Sequence, residues 1–396
     1  MSLIKLLHSD DDDVVVGFFD KLNRDNASEV EDELKKIRKE HSHGNLIFDF
    51  KNLKYISSAG LRVILNCAKN EKEKIKIKNT NVEIHETLMD TGFNRMFDIQ
   101  KTMKHYSLDD LELIGQGANG DVYRIDRENI VKVFNESAPI EVVERERDVA
   151  QEALIAGLPT AISYTLVNVD ERFGIVFELI DSDTLSRVIV KNPDDYDRLA
   201  DEYIKLYKTI HNTKVSEEAF PSIKQVYYEA IEESKSYYTE EEIGKLRALL
   251  DSIPDKDTLI HGDYHPNNIM VQDDKLILID MGDMSRGHII FDFLATATTQ
   301  VNLVNLNPEF AEYHTKMPVE LIKKTWRRLI DTYFADKTPE ERKRIEDQIC
   351  LCAKLKVALA PYFGRGISDE LLQSSIADAK ANLLPYIDDL TGAIDW

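Results

Sequence analysis

"HGDYHPNNIM" (residues 261–270) sets two histidines, an aspartate and two asparagines between the apolar "TLI" (258–260) and the strand-like "LILID" (276–280). Gly, Pro, Asn and Asp are also the residues of tight turns, because they tolerate unusual backbone angles or bond their own backbone. Read locally, the stretch is either a well-made turn or a place where Asp263 and Asn268 are held for chemistry. Working outward decides between the two.

Upstream, "IGQGANGDVYRI" (114–125) places Gly115, Gly117, Gly120 and Val122 at G-x-G-x-x-G-x-V spacing. Glycines let a backbone close on phosphates with no Cβ in the way. A dinucleotide-binding loop shares the glycines but runs straight into a helix. Here "DVYRID" reads as a strand, and strand–loop–strand is the form that covers ATP in kinases. "NIVKVF" (129–134) then carries Lys132 as the one charge of an apolar strand, where an unpaired cation is expensive and should face anions. "VERERDVAQEAL" (143–154) predicts a helix that offers Glu146 as its partner, with Glu141, Glu144 and Glu152 as competitors on the same charged stretch.

Downstream, Asp280 closes the strand "LILID" ahead of "MGD". Phosphoryl transfer needs a carboxylate to orient the attacking hydroxyl and accept its proton, and hard oxygen ligands for Mg²⁺. Asp263 supplies the first; Asn268 and Asp280 supply the second. Alone, each has an ordinary explanation as a turn residue, a loop amide or a strand end. In the order glycine loop, Lys, Glu, Asp…Asn, Asp they predict one site, and the loop at 261 becomes its catalytic loop.

Composition narrows the surroundings. The 396 residues predict two or three domains. A hydrophobic content of 43% with 31% charged residues describes a globular chain, and no apolar run approaches the length of a membrane span. The N-terminus lacks a small-residue cleavage site, so no signal peptide is read. A net charge of −22 speaks against a nucleic-acid partner, which needs clustered Lys and Arg. Three cysteines, Cys67, Cys350 and Cys352, make neither a disulfide framework nor a metal spacing, and a reducing, cytoplasmic setting is expected.

Two blocks follow. In the first, "NLIFDF" (45–50) and "KIKIKN" (74–79) alternate like half-buried strands. "ASEVEDELKKIRKEH" spaces Val30, Leu34 and Ile37 as a helix with Ser28 as its N-cap. "SSAGLRVILNCAKN" (57–70) reads as a second helix, and "VEIHETLMDTGFNRMFDI" (82–99) as a short strand followed by a helix. That alternation predicts a small α/β domain with a mixed sheet over 1–103. After the polar "QKTMKHYSLDD" (100–110), a strand-rich part (104–181) and a mostly helical part (182–396) predict an α+β unit of two lobes.

From about residue 110 onward the chain resembles the aminoglycoside phosphotransferase and choline kinase branch of the protein-kinase-like fold, through "HGDxHxxN" and "DMGD" with the glycine loop and Lys132. The resemblance implies ATP and Mg²⁺, Asp263 as the catalytic aspartate, Asn268 and Asp280 as metal ligands, and a Lys132–Glu146 ion pair. It implies that "FELI" (177–180) is a hinge whose Glu178 and Ile180 backbone groups read adenine. Asp292 would buttress the catalytic loop. The acceptor is a hydroxyl, of a small molecule ahead of a protein. The glycine loop is a fuller kinase signature than many of these enzymes carry, which keeps a protein acceptor open.

The first block resembles STAS domains, including anti-sigma factor antagonists, through "YISSAGLR" and "DTGFNRMFDI". There a serine matching Ser58 is phosphorylated to switch partner binding, and a protein partner is implied. A phosphate at that place would meet free N–H groups at a helix start. Ser57 stands where those antagonists have Asp, and either serine can instead cap the helix. The competing reading is a STAS-based partner switch whose kinase-like part binds nucleotide without transferring phosphate.

Overall fold

The computed structural model describes residues 3–10, 12–69, 71, 73–117, 119–364, 368–394 and 396, and the chain divides into two units, Met1–His105 and Tyr106–Trp396. Among the described residues, no helix is long and apolar enough to cross a membrane.

The first unit is one five-stranded sheet in sequence order: β1 (Ile4–Ser9), β2 (Asp13–Leu22), β3 (Asn45–Ile56), β4 (Ile75–Thr80) and β5 (Phe97–Lys101). β1 and β2 pair antiparallel; every later pair is parallel, joined through α1 (Ala27–Glu40), α2 (Ser58–Ala68) and α3 (Val82–Asp90). The parallel pairs require such crossovers. Phe18, Phe48 and Phe50 meet edge to face or stacked at 4.9–6.4 Å and join Val30, Leu34, Ile64, Ile84 and Leu88 from the helices in one core.

Two local expectations are corrected here. Residues 82–90 are helix and 97–101 strand, the reverse of the order expected. Val82 and Ile84 alternate as a strand would, but Val82 is exposed while Ile84 and Leu88 are buried at i, i+4 spacing, and Asn81 caps the start by accepting from the Ile84 amide at 2.9 Å. Ser28 is not the cap of α1. Asn26 holds that place without a side-chain cap bond, its amide being used on the Asn23 amide and the Lys21 carbonyl. β1 and β2 fall outside the expected elements: the aspartates at 10–13 interrupt the apolar pattern, although Val14, Val15, Val16 and Phe18 of β2 are buried.

The second unit carries a six-stranded sheet in the order β6-β10-β11-β9-β8-β7. Its strands are β6 (Lys104–Tyr106), β7 (Glu112–Gln116), β8 (Gly120–Arg124), β9 (Asn129–Phe134), β10 (Ser163–Val169) and β11 (Arg172–Glu178). The hairpin β7–β8 is the glycine loop, and α4 (Ile140–Ile155) lies between β9 and β10 in the chain. From Leu185 the unit is mainly helical, interrupted by two ribbons: β12 (Leu259–Ile260) with β15 (Ser285–Arg286), and β13 (Ile269–Gln272) with β14 (Lys275–Leu278). The stretch 261–268 links the two ribbons, and Asp280 lies just past β14. Thus the topology, rather than local sequence, brings them together.

Candidate active site

Lys132 projects from β9 with its Nζ 2.7 Å from Glu146 Oε1 on α4 and 2.8 Å from Asp280 Oδ1. Of the four glutamates on that stretch, Glu146 is the one that reaches it, and it is buried. Burial alone would pull the Lys132 ammonium down, but the Asp280 and Glu146 carboxylates outweigh it and hold it above the usual lysine value. Burial pushes the Glu146 carboxyl up against the pull of Lys132; Lys132 holds Asp280 down against burial. Gly282 makes room for this pairing, since a Cβ there would stand 2.9 Å from Glu146 Oε2. Asp280 sits at φ 60°, a strained angle for a residue with a Cβ, and such strain gathers at functional sites.

In the glycine loop Gly120 is the most strongly demanded: its φ is +156° and a Cβ would lie 2.2 Å from the Val133 carbonyl oxygen, while one on Gly117 would stand 3.2 Å from the Gly120 carbonyl oxygen. A Cβ on Gly115 would meet nothing closer than Val122, at an ordinary 3.6 Å. The Gly117 amide donates to the Gly120 carbonyl at 3.0 Å, closing the turn. At the hinge, the Glu178 amide already donates to the Ile162 carbonyl, so only the Glu178 carbonyl can serve a ligand. Ile180 is buried, and its amide has no partner among the described residues.

The loop 261–268 is held from beneath. Asp292, fully buried on the helix Ile290–Ala297, accepts from the His261 amide (2.8 Å), the Gly262 amide (2.6 Å) and His211 Nε2 (2.9 Å). Tyr264 stacks between Tyr203 and Tyr207 and donates to the Tyr203 carbonyl at 2.7 Å. Asp263 stays half-buried. Its Oδ2 accepts from Asn268 Nδ2 at 3.1 Å and lies 3.4 Å from His265 Nε2. Burial would raise the Asp263 carboxyl; His265, then Lys356 and His314, hold it well below the usual carboxylate range. His261 Nδ1 takes the Asp263 amide at 3.4 Å, while its buried Nε2 has no partner among the described residues. Burial pulls the His261 ring below the usual histidine value.

Mg²⁺ fits the donor set. Asn268 uses only its Nδ2 on Asp263, and Asp280 only Oδ1 on Lys132, so each keeps a hard oxygen without a hydrogen bond among the described residues. A second cluster, Asp263, His265 and His314, brings ligand atoms within 4.8 Å of one another, but its chemistry does not suit a metal. His265 Nδ1 accepts from the Asn267 amide at 3.2 Å, so the proton sits on Nε2 and points at Asp263. A metal on Nε2 needs the opposite tautomer, whose Nδ1–H would face that amide hydrogen. The cluster is a hydrogen-bonded support for Asp263.

The structure therefore brings Lys132, Glu146 and Asp280 into one cluster, with Lys132 paired to Val122 of the glycine hairpin, and Asp263 with Asn268 into another, the two joined where the Ile279 amide donates to the Asn268 carbonyl at 3.0 Å. His314 and Lys356 were not anticipated. Both reach the loop from helices far downstream, and no local spacing points to either.

Fold and site together define a kinase-like phosphotransferase. The chain belongs to the phosphotransferase enzyme family, whose sequence model matches residues 110–318, and a STAS domain model matches residues 6–105. Among curated proteins none matches. Similar solved structures include an ADP-bound aminoglycoside phosphotransferase, APH(2'')-Ib (16% identity, 77% of this chain and 98% of that one, TM-score 0.48). Another is the amicoumacin kinase hAmiN with AMP-PNP, Ca²⁺ and amicoumacin (12%, 73% and 91%, TM-score 0.47). A third is a choline/ethanolamine kinase family protein from Mesorhizobium loti (16%, 72% and 92%, TM-score 0.43). At such identities and scores, the assignment rests on the sequence match.

Proposed function

We propose that this chain transfers the γ-phosphoryl group of ATP to an acceptor hydroxyl, of a small molecule ahead of a protein. One observation carries the reading: the Lys132–Glu146–Asp280 cluster adjoins the Asp263–Asn268 pair, the Ile279 amide next to Asp280 donating to the Asn268 carbonyl. The acceptor oxygen attacks the γ-phosphorus, the bond to the β,γ-bridging oxygen breaks, and ADP leaves. The hydroxyl proton passes to Asp263, which His265, Lys356 and His314 keep ionised, so its carboxylate accepts the hydroxyl's hydrogen bond and orients the attacking oxygen. Lys132, held by Glu146, meets the phosphates under the Gly115–Gly120 turn, and the Ile180 amide with the Glu178 carbonyl reads adenine. Mg²⁺, held by Asn268 and Asp280, would neutralise charge on the phosphate oxygens. We assign residues 104–181 to the nucleotide lobe and 182–396 to the catalytic and acceptor lobe. The STAS part, 1–103, serves regulation or partner recruitment, with Ser58, exposed at the first position of α2, as its candidate phosphorylation site.

Calorimetric titration of ATP with and without Mg²⁺, then a hydroxyl-acceptor screen with γ-labelled ATP, tests this. Binding should tighten with Mg²⁺, and Asp263→Asn should keep binding while transfer falls roughly 10²–10⁴-fold. Tight binding without transfer, unchanged by Asp263→Asn, overturns the reading in favour of a nucleotide-binding partner switch.

A further inference from the structure

Lys356 lies in the last turn of the helix Pro339–Ala358, beyond the segment that matches the phosphotransferase family. Its Nζ approaches the Gly262 carbonyl at 3.4 Å, and Phe363 lies beneath it, ring centroid 5.4 Å away. That long hydrogen bond is its one polar contact, and it makes no ion pair among the described residues. Lys354, two residues earlier on the same helix, reaches Asp378 at 2.8 Å. In a chain of 72 acidic and 50 basic residues, a half-buried lysine without a carboxylate partner is unusual.

The C-terminal end of a helix favours a cation, which explains a lysine in the last turn. It does not explain why the ammonium turns inward to the backbone of the catalytic loop, where it loses water without gaining an ion pair. Lys356 acts on Asp263 and Asp283 as a neighbouring positive charge, so it stands among the acidic groups of the site. Lys132 is already engaged by Glu146 and Asp280, whereas Lys356 keeps N–H groups uncommitted.

Resting on the phosphotransfer reading, we propose that Lys356 binds the phosphoryl group as it leaves ATP for the acceptor. Charge on that group spreads over its three equatorial oxygens during transfer, and fixed cations aimed there stabilise it more than they stabilise bound ATP. Lys132 would grip the phosphates at the nucleotide end, and Lys356 would meet the moving group beside Asp263.

The full chain is titrated with Mg·ADP alone and with Mg·ADP plus aluminium fluoride, which mimics a phosphoryl group in flight. Wild type, Lys356→Met and Lys356→Arg should bind Mg·ADP alike and melt alike. Adding fluoride should tighten binding in wild type, tenfold less in Lys356→Met, and to an intermediate degree in Lys356→Arg. Equal tightening in wild type and Lys356→Met overturns the proposal, as does a Met variant whose loss appears already with Mg·ADP alone. A wild type that binds no Mg·ADP, or gains nothing from fluoride, refutes the phosphotransfer reading itself and this inference with it.

Discussion

Two polar runs enter elements of this chain, "SSAG" at the start of α2 and "HGDYHPNN" between the ribbons of the second unit, and they differ in what they leave over. At α2 the polarity is used up locally. Ser57 Oγ accepts from the Gly60 amide at 3.3 Å, the Ser57 amide donates to the Leu22 carbonyl, and a Cβ on Gly60 would stand 2.7 Å from Leu22. Among the described residues, the exposed Ser58 hydroxyl is what remains. In the second run, buried Asp292 satisfies the backbone, which frees Asp263, Asn268 and the neighbouring Asp280 to keep oxygens for something else. A polar stretch becomes a site when other residues do its structural work for it.

The largest expected effect breaks the contrast from the side of the second unit. Lys132→Met strands Glu146, a buried carboxylate, against Asp280. Removing one partner of a buried pair costs about 3–5 kcal/mol. The low end is expected, because the Glu146 carboxyl, already pushed up by burial, relieves the strain by taking a proton. Adding Glu146→Gln should recover much of the loss. Denaturant unfolding of the three proteins measures this, and a Lys132→Met chain as stable as wild type would make the pair dispensable for the fold.

How much of this was legible follows the same division. Gly120, Lys132, Asp263, Asn268 and Asp280 each sit where type and spacing carry the chemistry, so one dimension suffices to nominate them. Glu146 needed three dimensions to be separated from Glu141, Glu144 and Glu152, since a charged helix presents all four alike. His314 and Lys356 acquire meaning only from how distant helices fold back on the loop. In the first unit, the exposed Val82 mimicked strand alternation, and the helix there announces itself by the Asn81 cap and the Ile84–Leu88 spacing.

A smaller effect concerns acid. His288 is buried beside Trp396, and burial, with Lys256 nearby, pulls it down to about 4 from 6.5. Its folded state prefers the neutral ring, so the unfolded chain takes the proton first. The stability it contributes is fully present above pH 6.5 and is lost as pH falls toward 4, about 3 kcal/mol in all. His288→Gln should remove that part of the pH dependence. Denaturation midpoints between pH 7 and 4 check it, and equal slopes for the two proteins would show that His288 is not the group that titrates.

The smallest effect tests the first unit directly. If Ser57 only caps, Ser57→Ala should cost roughly 0.5–1 kcal/mol, at the lower end because the bond to Gly60 is long. Ser57→Asp should restore that stability, since a carboxylate caps as well and suits the positive end of the helix. Ser58→Ala should change nothing, because the Ser58 hydroxyl makes no bond among the described residues. Unfolding of the first unit, followed by amide exchange on α2, resolves effects of this size. A Ser58→Ala chain that loses as much as Ser57→Ala would mean that both hydroxyls hold the helix, and α2 would then have no oxygen left over for a phosphate to occupy without loss of stability.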